Sequence, residues 1–117
     1  MARPIVLKLG GELLEDASRT RAVAAEIARA AATMPIAVVH GGGREIDAAL
    51  AKAGIPKQQV DGIRVTDSAT LEIVVSVLAG AINTRFVAAI NAAGARSVGL
   101  TGADAGVAPV EPMPPFR

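Results

Sequence analysis

Ile36-Ala37-Val38-Val39-His40-Gly41-Gly42-Gly43-Arg44-Glu45-Ile46-Asp47-Ala48-Ala49-Leu50 is the stretch that decides the fold. Ile36 to Val39 is an apolar run of strand length, ended by His40 and three glycines. From Arg44 to about Ala53 the spacing changes to helical, with Ile46, Leu50 and Ala53 on one side and Gly54 placed to stop the helix. Upstream the same order occurs. Pro4 to Leu9 reads as a strand, Gly10-Gly11 ends it, and a helix from about Asp16 to Ala32 follows, with Asp16 or Ser18 as its cap. Two strand–loop–helix units in succession imply parallel strands joined by right-handed crossovers. Their continuous apolar character predicts burial on both faces. The expected class is therefore α/β, a three-layer α-β-α sandwich with a mostly parallel sheet.

Downstream, Asp61-Gly62 between two short β-like runs predicts a hairpin within Ile55–Val65. Thr66 or Asp67 then caps a long helix reaching about Ala93. Its apolar residues, including Leu71, Val75, Val77, Ile82, Val87 and Ile90, occupy several sides, which predicts cover on several sides. Gly80, midway, would permit close approach of another helix. Gly94 ends the helix, Ser97–Leu100 is expected as a third buried strand, and Thr101–Gly106 as turns. Four of the seven prolines fall in the last nine residues, which predicts an irregular tail. The expected division is a domain over 1–106 and a tail over 107–117.

The chain has 117 residues, 12 Lys plus Arg against 11 Asp plus Glu, and a net charge of +1. That balance provides no electrostatic footprint for nucleic acid or an anionic membrane. With Phe86 and Phe116 as the only aromatics, base stacking is also disfavoured. The most apolar stretch, Ile73 to Ile82, is shorter than the roughly 20 residues that cross a bilayer. A cytoplasmic protein is expected.

Two glycine clusters, Gly10-Gly11 and Gly41-Gly42-Gly43, fall at the carboxyl ends of the expected parallel strands. Ligands of open parallel sheets gather at that edge. Glycine lets backbone N–H groups approach oxyanions, and a helix start adds free donors. Lys8 brings a full positive charge to the same edge, suited to phosphoryl transfer, or is a strand-end lysine reaching water. His40 reads as a hydrogen-bonded strand-end histidine. Arg64 either grips a carboxylate with paired hydrogen bonds or is a solvated hairpin arginine. Neither cluster has the P-loop or dinucleotide spacing, and no Cys/His metal set or nucleophile elbow is present.

The ordered series Val6-Leu7-Lys8-Leu9-Gly10-Gly11, His40-Gly41-Gly42-Gly43, Gly62-Ile63-Arg64-Val65-Thr66-Asp67, Leu78-Ala79-Gly80 with Asn83, and Gly99-Leu100-Thr101-Gly102 resembles the acetylglutamate kinases of the amino acid kinase family. The resemblance runs through Asp104 and fits that family's N-terminal lobe, so the α-β-α sandwich is expected to be incomplete in this chain. It implies transfer of the ATP γ-phosphoryl group, with Mg2+, to the side-chain carboxylate of N-acetyl-L-glutamate in arginine biosynthesis. By resemblance Lys8 would be catalytic, while Gly10, Gly11 and Gly41 would lie against phosphate. Gly42 and Gly43 would offer backbone contacts to acetylglutamate, and Arg64 would hold its α-carboxylate beneath a hairpin lid. The resemblance also implies a homodimer crossing at the long helix, 67–93. In this family the chain continues into a nucleotide-binding lobe with a second lysine, an aspartate and an asparagine, none of which can be placed in 117 residues. The alternatives are a non-catalytic N-acyl amino acid-binding or regulatory module, and a relative acting on carrier-bound aminoadipate.

Overall fold

A computed structural model describes residues 2–113. Strand β1 (Ile5–Leu9) pairs in parallel with β2 (Ile36–His40), with Ile5 opposite Ile36 and Leu9 opposite His40. Helix α1 (Ala17–Ala31) connects them, and α2 (Gly43–Ala53) leaves the end of β2. The Asp16 carboxylate caps α1 by accepting from Arg19 N–H at 3.1 Å, and Gly54 ends α2 at φ 71°. A single 3-10 turn, Gly11–Leu14, intervenes between β1 and α1.

Strands β3 (Gln59–Val60) and β4 (Ile63–Arg64) form the expected hairpin. Asp61 and Gly62 both have positive φ, 52° and 77°, as a two-residue turn matched to strand twist requires.

The long helix is continuous over Ser68–Ala92, but it changes pitch. It runs as α3 (Ser68–Val75), a π-helical stretch (Ser76–Ile82) and α4 (Asn83–Ala92). Its buried residues are Thr70, Val77, Ile82, Phe86 and Ile90. The step from Val77 to Ile82 is five residues, where an α-helix would step by three or four. The wide turn inserts one extra residue and rotates the apolar stripe. This accounts for part of the many-sided pattern in the sequence. Leu71 and Val75 remain half exposed, and nothing lies within 4 Å of a Cβ built at Gly80. With a mean hydropathy of 1.9, this helix is long and apolar enough to cross a membrane by length and composition, unlike the shorter stretch weighed from sequence. Its inner side nonetheless belongs to the common core, with Leu14, Leu50 and Ile82 each about 1% exposed. Truncating such a residue to alanine costs about 2–5 kcal/mol.

Two expectations need correcting. The sheet is covered on one face only. Leu7, Leu9 and Val38 face the helices, whereas Val6 and Val39 are 68% and 54% exposed. The α/β class and the parallel pairing are as expected, with the sandwich incomplete. Ser97–Leu100 is not a strand among the described residues, and Val98 and Leu100 are 80% and 72% exposed. The segment runs beside α4 instead. The Asn91 side-chain oxygen accepts from the N–H and hydroxyl of Ser97 at 2.8 and 2.9 Å, and Gly99 abuts the Asn83 amide. A strand needs a ladder partner, and here side chains of the helix take the place of one. Residues 109–113 are exposed and irregular, and 114–117 of the expected tail lie outside the described residues.

Candidate functional site

Parallel pairing of β1 with β2 brings both glycine clusters to one rim. A Cβ built on Gly11 would lie 2.7 Å from Gly42 N and 2.8 Å from Gly42 Cα. The two loops therefore touch backbone to backbone, a contact only glycine at position 11 allows. Gly41 N–H donates weakly to Leu9 O at 3.4 Å, and Ile46 N–H donates to Gly42 O at 3.0 Å. Gly42 is buried, and a Cβ there would run into Ile82 and come 3.0 Å from Leu78 Cδ2. Both neighbours lie in the π-helical stretch, so the wide turn backs the triple glycine. Gly43 has nothing within 4 Å of a built Cβ and is open to solvent.

The helix starts differ in a telling way. Helices α1 and α3 are capped by aspartates, Asp16 and Asp67, the latter accepting from Thr70 N–H at 2.9 Å. Bonds from the Ser18 hydroxyl and then Arg19 N–H hold the Asp16 carboxyl below its usual range, and bonds from Thr70 N–H and then its hydroxyl do the same for Asp67. At the rim, neither α2 nor the 3-10 turn has a side-chain cap. Their first N–H groups and the positive end of the α2 dipole are left for another acceptor. Glu12 folds its carboxylate against Gly10, where a Cβ would be 2.5 Å from both oxygens.

Lys8 is exposed and stands on the open face of β1, opposite Val39 in register and two residues before Gly10. It shares the rim end of the sheet with the glycines. His40 is turned inward, its ring edge-on to Phe86 at 6.0 Å, and Nδ1 lies 3.2 Å from Gly41 O. That is the structural role read from the sequence.

Arg85, unremarked in the sequence, ties the two loops from below. Its Nη2 donates to Leu14 O at 2.9 Å, just after the first glycine pair, and to the Glu45 carboxylate at 2.7 Å, just after the second cluster.

Arg64 does not point into water. Its side chain is 18% exposed, and Nη2 donates to Asp47 Oδ1 at 2.6 Å. Lys57 Nζ donates to the other oxygen of Asp47 at 2.8 Å. Bonds from Lys57 and then Arg64 hold the Asp47 carboxyl below its usual range. Nη1 of Arg64 is buried and has no hydrogen-bond partner among the described residues. Asp47 lies one helical turn after Gly43, so Arg64 stands beside the first part of α2. Its sequence signal was faint, because its cations lie 10 and 17 residues away.

No group of three or more His, Cys, Asp or Glu side chains converges among the described residues. Two open hollows, of about 390 and 430 Å³, lie off the rim, one beside the C-terminal half of α2 and one beside Asn91–Val98.

A parallel pair, a backbone-only rim and an uncapped helix start define an α/β protein with free backbone donors at its strand ends. The sequence profile of the amino acid kinase family matches residues 3–112, and the chain belongs to that family. Acetylglutamate kinase from Dinoroseobacter shibae is 43% identical over 113 residues, covering 95% of this chain and 39% of its own length. Acetylglutamate kinase from Allorhizobium ampelinum is 49% identical over 104 residues, covering 87% and 35%. The chain thus spans about two fifths of the length of these curated relatives. A crystal structure of N-acetylglutamate synthase from Neisseria gonorrhoeae, complexed with coenzyme A and N-acetyl-glutamate, superposes at a TM-score of 0.65 with 27% identity. It covers 78% of this chain and 21% of the synthase.

Proposed function

We propose that this chain is the acetylglutamate-binding lobe of an acetylglutamate kinase, contributing to transfer of the ATP γ-phosphoryl group to the side-chain carboxylate of N-acetyl-L-glutamate. A carboxylate oxygen attacks the γ-phosphorus, the bond to the bridging oxygen breaks, and ADP leaves beside an acyl phosphate. Such a reaction asks the protein chiefly to align the partners and neutralise charge. The observation that carries the reading is the contrast between the aspartate-capped starts of α1 and α3 and the uncapped start of α2 at the triple glycine. Gly10, Gly11 and Gly41 suit phosphate oxygens, with Glu12 displaced from Gly10. Gly42 and Gly43 offer backbone to the acceptor. Lys8 supplies positive charge at the same end of the sheet, and the free Nη1 of Arg64 suits the α-carboxylate. Mg2+ enters with the nucleotide phosphates, since it keeps several waters and needs only one or two carboxylates. The half-exposed Leu71 and Val75, with the open flank of Gly80, suit pairing of two copies along the long helix. A cytoplasmic location and a place in arginine biosynthesis accompany this reading.

Calorimetric titration with N-acetyl-L-glutamate tests it, together with a coupled assay of ADP release. Binding of acetylglutamate is expected. Turnover is expected only when the rest of the fold present in the longer relatives is supplied. No binding of acetylglutamate to the chain, alone or so supplemented, overturns the reading. The likeness to N-acetylglutamate synthase favours a second reading, an N-acyl amino acid-binding module without phosphoryl transfer. Acetylglutamate binding with no turnover even in the supplemented form selects it.

A further inference from the structure

We infer that Asp47 is a positioning residue that sets Arg64 for an anionic ligand, holding one guanidinium nitrogen so that the other, Nη1, is the one presented. The inference rests on the reading of Arg64 as a ligand-binding residue. Its ground is the division of one guanidinium between two fates. Nη2 is 2.6 Å from Asp47 Oδ1, while Nη1 is buried and unpartnered among the described residues. A guanidinium offers five N–H donors in a rigid plane, so fixing one nitrogen fixes the direction of the other.

The same carboxylate anchors the hairpin. Its Oδ2 accepts from Lys57 Nζ at 2.8 Å, just ahead of β3, and its Oδ1 accepts from Arg64 in β4. Each strand has two residues, and Val60 and Ile63 are about half exposed. A hairpin this small is marginal without outside support. Asp47 supplies that support from α2, the helix that begins at the glycine rim. One acidic side chain therefore links the position of the hairpin, the aim of Arg64 and the helix start. Nη1 is shielded from solvent, so a ligand reaches it through a local opening that leaves the Asp47–Arg64 bond in place.

The test uses the full chain and N-acetyl-L-glutamate as the probe. Asp47→Asn keeps the shape and removes the charge. It should raise the Kd for acetylglutamate about 10-fold, the scale of one charge-assisted hydrogen bond. In an Arg64→Ala background the same substitution should change the Kd little, because Asp47 acts through Arg64. Hydrogen exchange of the Gln59–Val65 amides should quicken in Asp47→Asn, and less in Lys57→Met, where Arg64 stays held. Equal weakening with and without Arg64 overturns the inference. So does unchanged hairpin exchange in Asp47→Asn. If the unaltered chain does not bind acetylglutamate, the proposed function fails, and the exchange result alone then decides the role of Asp47.

Discussion

The glycine rim and the hairpin stand at opposite ends of α2's first turns, and they are held by opposite means. The rim is backbone pressed on backbone where Gly11 meets Gly42, and backbone pressed on the buried Ile82 and Leu78 side chains behind Gly42. The hairpin is held by long, charged side chains meeting at one carboxylate. Its grip therefore depends on pH and salt. The difference teaches that one part is fixed by steric fit and the other by charge, so the two should respond to different perturbations.

The sharpest way to break this contrast acts on the hairpin's charge. Arg64→Ala should weaken acetylglutamate binding by about 2–4 kcal/mol, read by calorimetry, while the melting temperature moves little. An unchanged affinity removes Arg64 from the site. On the rim the reverse should hold. Gly42→Ala drives a Cβ into Ile82 and should cost about 1–3 kcal/mol of stability, measured by denaturant unfolding. Next in size is an effect of acid. The carboxyl of Asp47 titrates below its usual range when folded, so its contribution is present above the unfolded value and lost as pH falls through the folded one. The pair is partly exposed, so about 1 kcal/mol is at stake. Amide shifts of Val60 and Gly62 should follow that titration, and Asp47→Asn should abolish it. The smallest effect belongs to Gly43, whose Cβ position is empty. Gly43→Ala should stabilise the chain by about 0.5 kcal/mol and still weaken ligand binding if a ligand lies over it.

Much of this was legible in the sequence because the signals were local. The ends of β1 and β2, the caps at Asp16 and Asp67, the stop at Gly54 and the Asp61-Gly62 turn are each set by a few neighbouring residues. The meeting of Gly11 with Gly42 followed from parallel pairing. What failed was non-local. Ser97–Leu100 has the composition of a strand, yet pairing needs a partner that composition does not reveal, and Asn91 and Asn83 hold the segment to the helix instead. Asp47 went unnoticed because its two cations are distant in the chain and meet only when the hairpin docks. Arg85 was missed for the same reason. The exposure of Val6 and Val39 likewise depends on what else covers the sheet.

The wide turn at Ser76–Ile82 has a consequence for how this chain can vary. Each half of the long helix is keyed to its own neighbours, and the surplus residue lets both keys fit. Losing one residue from that window would restore regular winding with the two halves still in register, whereas losing one elsewhere in the helix would swing one half by about 100° against the other. Ile82 would then leave Gly42, or Thr70 would leave its place. Length is therefore constrained more tightly in the regular halves than in the wide turn between them, and the seat behind the triple glycine depends on a count of residues as much as on their kind.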